Sequence, residues 1–135
     1  NNSDDRKNLI LFRGKFSFII MNLYPYNNGH LMVCPYKHIA SLSKLNEETL
    51  SEIMKLISKS SEILRKTLNA EGFNIGANIG SVGGAGIDDH LHFHLVPRWK
   101  GDTNFMPVLG NTKVIMSGLH DTYDELFSHF QKSLA

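Results

Sequence analysis

The sequence lacks several features that would place it in a specialised class of protein. It has one cysteine, Cys34, which excludes an intrachain disulfide and favours a reducing compartment, so we expect a cytoplasmic protein. It has no apolar run of the length that a transmembrane helix requires, and we expect no membrane partner. Lysine and arginine number 14 against 13 aspartate and glutamate, and this formal net charge of +1 gives no reason to expect nucleic acid as a partner.

The composition is otherwise that of an ordinary globular domain. The chain has 135 residues, of which 41% are hydrophobic and 20% are charged, so we expect a single domain over residues 1–135. Because the chain begins with a polar stretch at Asn1 and not with methionine, we expect that an upstream N-terminal segment is missing.

Hydrophobic patterning predicts an α+β fold. Apolar side chains at 3.6-residue spacing predict a helix over 47–68, with Asn46 as its N-cap and Gly72 as its stop. A short helix over 121–132 is predicted with Asp121 as its cap. Strands are predicted over residues 16–23, 30–35, 73–79 and 90–97. Strands in hairpin-like order with one long helix indicate an antiparallel sheet that helices cover on one face.

The stretch HLHFHLVPRW, residues 90–99, places a histidine at every second position. In an extended strand, side chains two residues apart lie on the same face, about 6.6 Å from each other along the strand. We therefore expect His90, His92 and His94 to form a row, with the apolar residues between them packed into the core. Pro97 has no N–H to donate and should end the ladder.

Three explanations of the row are open from the residues alone. It can be a polar strand face, although three of the chain's 7 histidines falling within five residues argues against chance. It can be a zinc or copper site, because His-x-His on a strand can chelate a metal ion. It can be a nucleophilic site, in which a neutral imidazole attacks phosphorus while a hydrogen bond holds its other nitrogen. Further metal ligands could come from His30, His38, Asp88 and Asp89.

A glycine-rich segment precedes the row. Five of the 11 glycines fall within residues 76–86. Glycine lets the backbone approach a ligand closely, and consecutive N–H groups can bind an anion. An isolated cluster of this kind would be interpreted as a flexible loop, but its position before the histidines favours phosphate binding. The segment matches neither the Walker pattern nor the dinucleotide-binding pattern.

Together these stretches resemble the histidine-triad family. HLHFHLV matches the family's three histidines alternating with apolar residues, FSFIIMNLYPYNNGHLMVCPYKHIASL resembles its N-terminal hairpin, and NIGSVGGAG resembles its phosphate loop. The resemblance covers nearly the whole chain. It implies an antiparallel sheet with one main helix, a homodimer or higher symmetric oligomer, and nucleotidyl hydrolase or transferase activity.

The resemblance also implies roles for individual residues. His92 corresponds to the nucleophile that becomes nucleotidylated, and His90 and His94 flank it for phosphate contacts and hydrogen bonding. The nucleotide-binding positions of the family fall here at Ile20, Asn22, His30, Val33, Asn78, Gly84, Ala85 and Gly86. Among these, Ile20 and Val33 would hold the base and Asn22 the ribose. Without the resemblance, the first two would be interpreted as core residues and Asn22 as the start of a turn.

The tail PRWKGDTNFMPV resembles the branch of diadenosine tetraphosphate phosphorylases and related hydrolases. In that branch Trp99 would lie near the nucleotide, and Asn104 and Phe105 near the polyphosphate. The acceptor would be water or inorganic phosphate. Arg98 and Lys100 are candidates for a second anion site, although Arg98 could instead only anchor the tail.

No cofactor is expected to be required. Many relatives carry a Cys-x-x-Cys zinc half-site that pairs with a histidine at the position of His38 and with the first triad histidine, and this sequence has no such cysteine pair. Zinc is therefore expected only if a missing N-terminal segment supplies the cysteines.

Three functions follow as hypotheses, and the first is favoured. The chain is an enzyme that cleaves dinucleoside polyphosphates such as diadenosine tetraphosphate, a nucleotide-binding signalling module with incidental turnover, or a protein with a metal site on the histidine row. For the expected dimer, the helix face with Met54, Ile57 and Leu64 offers the apolar surface.

Overall fold

Five strands and three helices make up the described parts of the chain. The computed structural model describes residues 2–80, 90–102 and 116–134. The elements in chain order are α1 (Asn2–Lys7), β1 (Ile10–Arg13), β2 (Ser17–Met21), β3 (Leu31–Pro35), a 3-10 turn (Leu42–Lys44), α2 (Glu47–Leu68), β4 (Gly72–Gly76), β5 (Phe93–Arg98) and α3 (Met116–Leu134). Within these ranges no helix combines the length and the hydropathy that crossing a membrane would need.

The strands form one antiparallel sheet in the order β1-β2-β3-β5-β4. The predicted hairpin is present as β2 and β3. Across four strands the register places Ile20 opposite Met32, Met32 opposite His94, and His94 opposite Gly76. Because directly paired residues share a face, these positions define one side of the sheet, which we call the histidine face.

The other side of the sheet carries the core. Ile19, Val33 and Leu95 lie on it and are buried against α2 and α3. The helical members of this core are Ile53, Leu56, Ile57, Ile63, Leu64, Tyr123, Leu126 and Phe130. Helices therefore cover one face of an antiparallel sheet, which confirms the predicted α+β fold.

The long helix α2 has the predicted bounds and is capped at both ends by asparagine. Asn46 Oδ1 accepts a hydrogen bond from the Thr49 N–H at 2.8 Å, which confirms the predicted N-cap. After Leu68, Asn69 adopts the left-handed conformation with φ of 57°, which asparagine tolerates better than most residues. The prediction that Gly72 stops the helix is wrong, because Gly72 begins β4.

The helix face predicted for a dimer is mostly internal. Ile57 and Leu64 are buried in the chain's own core, because α2 packs across the sheet with that side. Met54 alone of the three is on the surface, with 56% of its area exposed. The prediction that these residues offer one surplus apolar surface is therefore wrong.

The ladder around β5 is displaced from its predicted position. The strand predicted over 90–97 runs from Phe93 to Arg98, because Phe93 is the first of these residues that pairs with β3. Pro97 does not end the ladder and is paired opposite Phe73 of β4. The last residue of β5 that pairs with β3 is Leu95. Pro97 therefore pairs with β4 and not with β3, and its missing N–H is tolerated.

The two ends of the chain hold elements that the sequence pattern missed. α1 and β1 precede the first predicted strand, and α3 begins at Met116 instead of at Asp121. Contacts distant in sequence explain both differences. The Asp5 carboxylate accepts from Arg13 Nε at 3.0 Å, and the Tyr123 hydroxyl of α3 donates to a β1 carbonyl at 2.8 Å.

Candidate functional site

The histidines form a cluster at the start of β5. His94 lies in the strand, and His90 and His92 lie in the segment just before it. The ring centres of His92 and His94 are 5.0 Å apart, and His30 of the β2–β3 turn lies 5.1 Å from His94. On the other side, the His38 ring lies 4.6 Å from that of His90. The alternation in the sequence thus places three imidazoles together, and two more join them from distant positions.

The proton position on His92 follows from its hydrogen bond to the backbone. Its Nδ1 lies 3.1 Å from the carbonyl oxygen of His90. A carbonyl oxygen only accepts, so Nδ1 carries the proton and donates it. In the neutral ring Nε2 then keeps a lone pair, which makes it the basic and nucleophilic nitrogen.

The segment that carries His90 is tied to the end of β3 and the loop after it. His90 Nε2 donates to the carbonyl oxygen of Pro35 at 3.0 Å. The next residue, Leu91, is buried, and its N–H donates to the Ile39 carbonyl at 2.7 Å. These two bonds hold the backbone carbonyl of His90 in place, and this carbonyl in turn orients His92.

A second hydrogen-bonded chain runs from the β2–β3 turn to His94. The backbone N–H of Tyr26 donates to Nδ1 of His30 at 3.1 Å. Neutral His30 therefore carries its proton on Nε2, which lies 2.9 Å from Nδ1 of His94 and donates to it. Because His94 accepts at Nδ1, its neutral form carries the proton on Nε2 and can donate from that atom.

Burial keeps the His30 and His94 rings neutral. Only 1% of the His30 surface is exposed, and burial, with smaller effects of charge on His94 and His92, lowers the pKa of His30 to about 3. Burial also lowers the pKa of His94, and the charge of His92 adds to this effect. The direction of the hydrogen bonds is therefore fixed near neutral pH. His30 lies behind His94 and has almost no surface of its own for a ligand.

Beside the imidazoles, the histidine face is apolar. Ile20 and Met32 are half-buried there; Met32 pairs directly with His94, and Ile20 pairs with Met32 one strand further on. Val33 lies on the opposite face with 0% of its surface exposed, so the prediction that it holds a base is wrong. The alternation of side chains along β3 makes Met32 the residue that faces the site. The register with His94 could have identified it, had the strand pairing been known.

Asn22 begins the β2–β3 turn. Its Oδ1 accepts from the Tyr24 N–H at 2.9 Å, and its own N–H donates to the His30 carbonyl at 3.0 Å. The amide nitrogen of its side chain lies 3.4 Å from both ring nitrogens of His30. This is the turn-forming role that the residue type alone suggests, at a position beside the histidine cluster.

Trp99, predicted near the nucleotide, and Arg98, a candidate for a second anion site, both bond within the chain at the other end of β5. The indole N–H of Trp99 donates to the Leu68 carbonyl at 3.2 Å, at the end of α2. Trp99 is seven residues beyond His92 along an extended segment, roughly 20 Å at strand spacing. The role of Trp99 near the nucleotide stays a prediction. Arg98 binds the Asp102 carboxylate through Nε at 2.9 Å and Nη2 at 2.8 Å, so it anchors the tail.

Several predicted binding residues lie outside the described residues. These are Gly84, Ala85, Gly86, Asn104 and Phe105, and the proposed metal ligands Asp88 and Asp89 lie there too. Asn78 is described and exposed. It follows β4, whose last residue Gly76 pairs with His94, so Asn78 begins the connection that leads to the histidine cluster.

In the ranges 2–80, 90–102 and 116–134, no group of three or more histidine, cysteine or acidic side chains is arranged to hold a metal ion. The histidines named for such a site are partly engaged with other groups. His30 bonds to His94, and His90 bonds to the Pro35 carbonyl. The His38 ring contacts that of His90 in a tilted arrangement, with an interplanar angle of 49°.

A five-stranded antiparallel sheet with helices on one face, and with a histidine cluster at the start of β5, is the arrangement of one class of protein. The HIT domain family model matches residues 4–101, and the chain belongs to this histidine-triad family.

Individual relatives agree with this assignment. The chain is 42% identical over 118 residues to the AP-4-A phosphorylase of Mycobacterium tuberculosis, a match that covers 87% of this chain and 60% of that protein. It is 30% identical over 93 residues to the asymmetrical bis(5'-nucleosyl)-tetraphosphatase of Schizosaccharomyces pombe, covering 69% of this chain and 50% of that one. The chain thus spans 60% or less of the length of these two curated relatives.

Solved structures share the fold. The diadenosine triphosphate hydrolase of Plasmodium falciparum, solved in complex with Cyclomarin A, superimposes with a TM-score of 0.79 at 20% identity. The match covers 96% of this chain and 80% of that chain. A Zn-bound histidine triad family protein from Mycobacterium smegmatis superimposes with a TM-score of 0.77 at 22% identity, over 96% of this chain and 88% of that chain.

Proposed function

We propose that this chain cleaves dinucleoside polyphosphates through a covalent nucleotidyl intermediate on His92. The observation that carries the proposal is the hydrogen bond from His92 Nδ1 to the carbonyl oxygen of His90. It holds the proton on Nδ1 and leaves the lone pair on Nε2, which is the form of imidazole that attacks phosphorus.

The reaction has two displacement steps. In the first, His92 Nε2 forms a bond to the α-phosphorus, and the bond from that phosphorus to the bridging oxygen of the leaving polyphosphate breaks. The leaving oxygen keeps the electron pair. In the second step, an acceptor oxygen attacks the same phosphorus, neutral His92 departs, and the proton of the acceptor is released. His94 lies next to His92 and carries its proton on Nε2. This N–H can donate a hydrogen bond to a phosphate oxygen on which negative charge develops.

The names of two relatives support the substrate class. One is an AP-4-A phosphorylase and the other a bis(5'-nucleosyl)-tetraphosphatase. The half-buried, apolar Ile20 and Met32 beside the histidines suit the flat face of a nucleobase. We therefore propose diadenosine tetraphosphate as the first substrate to test.

We propose inorganic phosphate as the acceptor, since the relative with 42% identity is named a phosphorylase. From diadenosine tetraphosphate, attack by phosphate gives ADP and ATP, whereas attack by water gives AMP and ATP. The test is to separate the nucleotide products formed with and without added phosphate. ADP that forms only with phosphate supports phosphorolysis. AMP at an unchanged rate in both conditions makes the chain a hydrolase.

The main alternative is a nucleotide-binding signalling module with incidental turnover. The same assay distinguishes it, because binding of the dinucleotide without product in either condition would contradict the enzymatic proposal. A metal site on the histidine row is tested by elemental analysis of the purified chain. We propose that turnover needs no cofactor and that zinc binds only if an upstream segment supplies cysteines.

We also propose a symmetric homodimer or higher oligomer. Among the strands that the structure describes, β4 lies at an edge of the sheet beside β5, and Ile75 on it is 54% exposed. An exposed edge strand with apolar side chains can pair with a second copy, and exposed Met54 on α2 adds apolar surface. Light scattering at micromolar concentration tests this, and a monomeric mass would contradict it.

A cytoplasmic location is proposed from the single cysteine. Cys34 is buried, and burial raises the pKa of its thiol to about 12. The thiol therefore stays protonated and unreactive at neutral pH, as suits a structural cysteine in a reducing compartment. Fractionation of cells that express the protein tests the location.

A further inference from the structure

The β2–β3 turn is attached to the far end of β5 by one side chain. The Asn27 amide donates to the Pro97 carbonyl at 3.0 Å and to Asp102 Oδ2 at 3.2 Å. Both protons of the amide nitrogen are used in this way. Asn27 is half-buried between the turn and the strand end, so it connects two parts of the chain that are about 70 residues apart.

Asp102 is itself held firmly, so the attachment point is rigid. Its carboxylate accepts from Arg98 Nε and Nη2 at 2.9 and 2.8 Å and from the Trp99 N–H at 3.0 Å. A bidentate guanidinium–carboxylate pair has little orientational freedom. The hydrogen bonds with Arg98 and Trp99 also lower the pKa of Asp102 to about 2, so the acceptor stays ionised at neutral pH.

The same turn sets the hydrogen bonding of His30 from both sides. The carbonyl of Asn27 accepts from the His30 N–H at 3.2 Å, and the N–H of the preceding residue, Tyr26, donates to His30 Nδ1 at 3.1 Å. The two tautomers of a free imidazole differ little in energy, so a single fixed donor decides between them. If the Tyr26 N–H moves away, His30 and His94 lose the feature that fixes their proton positions.

The tip of the turn has little packing of its own, whereas Gly29 and His30 at its end are buried and the Tyr26 ring packs against that of His30. Tyr24 is 71% exposed, and Leu23 is exposed as well. Segments with few buried apolar contacts open at low free-energy cost. The Asn27 amide is therefore an important restraint on the position of the Tyr26 N–H.

We propose that Asn27 and Asp102 are positioning residues for the histidine cluster. They hold the β2–β3 turn so that Tyr26 N–H donates to His30, His30 donates to His94, and His94 keeps its proton on Nε2 beside His92. The catalytic consequence rests on the proposed function, because an Nε2–H on His94 matters only if phosphate charge develops there. The effect on the tautomer does not depend on that function.

The first test compares Asn27→Ala with Asn28→Ala, its exposed neighbour in the same turn. Long-range ¹H–¹⁵N NMR of the histidine rings at pH 7.5 reports which nitrogen carries the proton. We expect a single Nε2–H form of His94 in the wild type and in Asn28→Ala, and a mixture of tautomers in Asn27→Ala. Asp102→Ala removes the acceptor and should give the same mixture by a different substitution. A single Nε2–H form of His94 in both Asn27→Ala and Asp102→Ala would overturn the proposal.

The second test measures kinetics on diadenosine tetraphosphate with the same variants. We expect kcat of Asn27→Ala to fall about 10-fold with KM nearly unchanged, a part of what general acid–base groups contribute. A purely structural role would instead lower the melting temperature and leave kcat per folded molecule unchanged, which would contradict the proposal. If the wild type shows no turnover, the proposed function fails, and the NMR comparison still decides whether Asn27 sets the tautomer.

Discussion

The two ends of β5 both carry groups that can bind phosphate, but they differ in how those groups are engaged. At the start of the strand, His92 uses Nδ1 for the His90 carbonyl, and no described residue takes its Nε2. At the far end, Arg98 uses Nε and Nη2 for Asp102 and Nη1 for Asn74, 2.6 Å away. The imidazole end keeps an available nitrogen, whereas the guanidinium end is committed to its own chain.

Charge alone is therefore a poor guide to an anion site, because hydrogen bonds within the protein can already occupy the donors of a charged group. A guanidinium has five N–H donors in a fixed plane, and a carboxylate in that plane takes the two that would otherwise grip a phosphate. An imidazole has two nitrogens with separate roles, so a backbone bond to one of them leaves the other available. The start of β5 therefore keeps a nitrogen available for a ligand, whereas the guanidinium at its far end bonds within the chain.

The largest expected effect comes from removing the available nitrogen. His92→Ala should lower turnover of diadenosine tetraphosphate by on the order of 10³-fold or more, as removal of a catalytic nucleophile does. Nucleotide binding should persist, because the apolar face proposed to bind the base is intact. Mass spectrometry of acid-quenched wild type should show a mononucleotide on His92. Exposed His129 provides the control variant His129→Ala, and near-normal turnover in His92→Ala would remove the mechanism.

The buried histidine behind the row should make stability depend on pH. The pKa of His30 is about 3 in the folded chain and about 6.5 when unfolded, so the unfolded state binds more protons between these values. The free energy of unfolding should therefore be highest above about pH 7 and fall as pH is lowered towards 3, by about 2 kcal/mol from pH 7.5 to 5 for this residue.

Urea unfolding at the two pH values measures this contribution. His30→Gln carries no titratable ring, so its loss of stability between pH 7.5 and 5 should be smaller than that of the wild type, even if the variant is less stable throughout. His129→Gln on the exposed side of α3 should keep the wild-type dependence. Equal pH dependence in His30→Gln and the wild type would show that His30 is not held neutral by burial.

Substitutions on the two sides of β3, the strand next to β5, should have different effects. Val33→Ala should destabilise the chain by about 1–3 kcal/mol with little effect on KM, because it opens space in the core. Met32→Ala should raise KM for the dinucleotide about 5-fold to 10-fold by removing apolar contact with the base, with a smaller loss of stability. Thermal melts and steady-state kinetics separate the two effects. A larger KM change in Val33→Ala than in Met32→Ala would reverse the assignment of faces.

The smallest effect on the affinity for phosphate is expected at the guanidinium end. Arg98→Gln should leave the KM for inorganic phosphate within about 2-fold of the wild type, because Arg98 is engaged by Asp102 and offers little to a second anion. Its melting temperature should fall, since the Asp102 carboxylate loses its bidentate partner. Lys100→Gln serves as the neighbouring control. A large rise in the phosphate KM of Arg98→Gln alone would mean that the ion pair opens for the substrate.

Much of the fold could be predicted from local pattern, and the misses have a common cause. The bounds of α2 and its Asn46 cap were predicted because helix periodicity and capping are properties of neighbouring residues. α1 and β1 were missed because each is short and is held by partners more distant in sequence, such as Asp5 with Arg13 and Tyr123 with β1. The displaced start of β5 and the misplaced Val33 share this origin, since strand pairing decides both.

The candidate site divides in the same way. Alternation at residues 90–94 identified three histidines, and the resemblance identified their family and associated His38 with His90, but neither identified Asn27 as the contact of Asp102. These partners lie far apart in the sequence and carry no shared motif. The residues PYNNG are typical of a turn, and nothing in them indicates a role beside the histidines.

Local pattern in the sequence was enough to predict the class of fold, the long helix and the three histidines at residues 90–94, because a periodicity of two or 3.6 residues involves only near neighbours. The proton positions of His30 and His94 could be read only from the tertiary structure. Those outcomes depend on hydrogen bonds such as His30 to His94, which joins residues 64 positions apart. Such a bond forms only after the strands have paired and the core has closed, since its geometry is set by packing and not by the order of the residues.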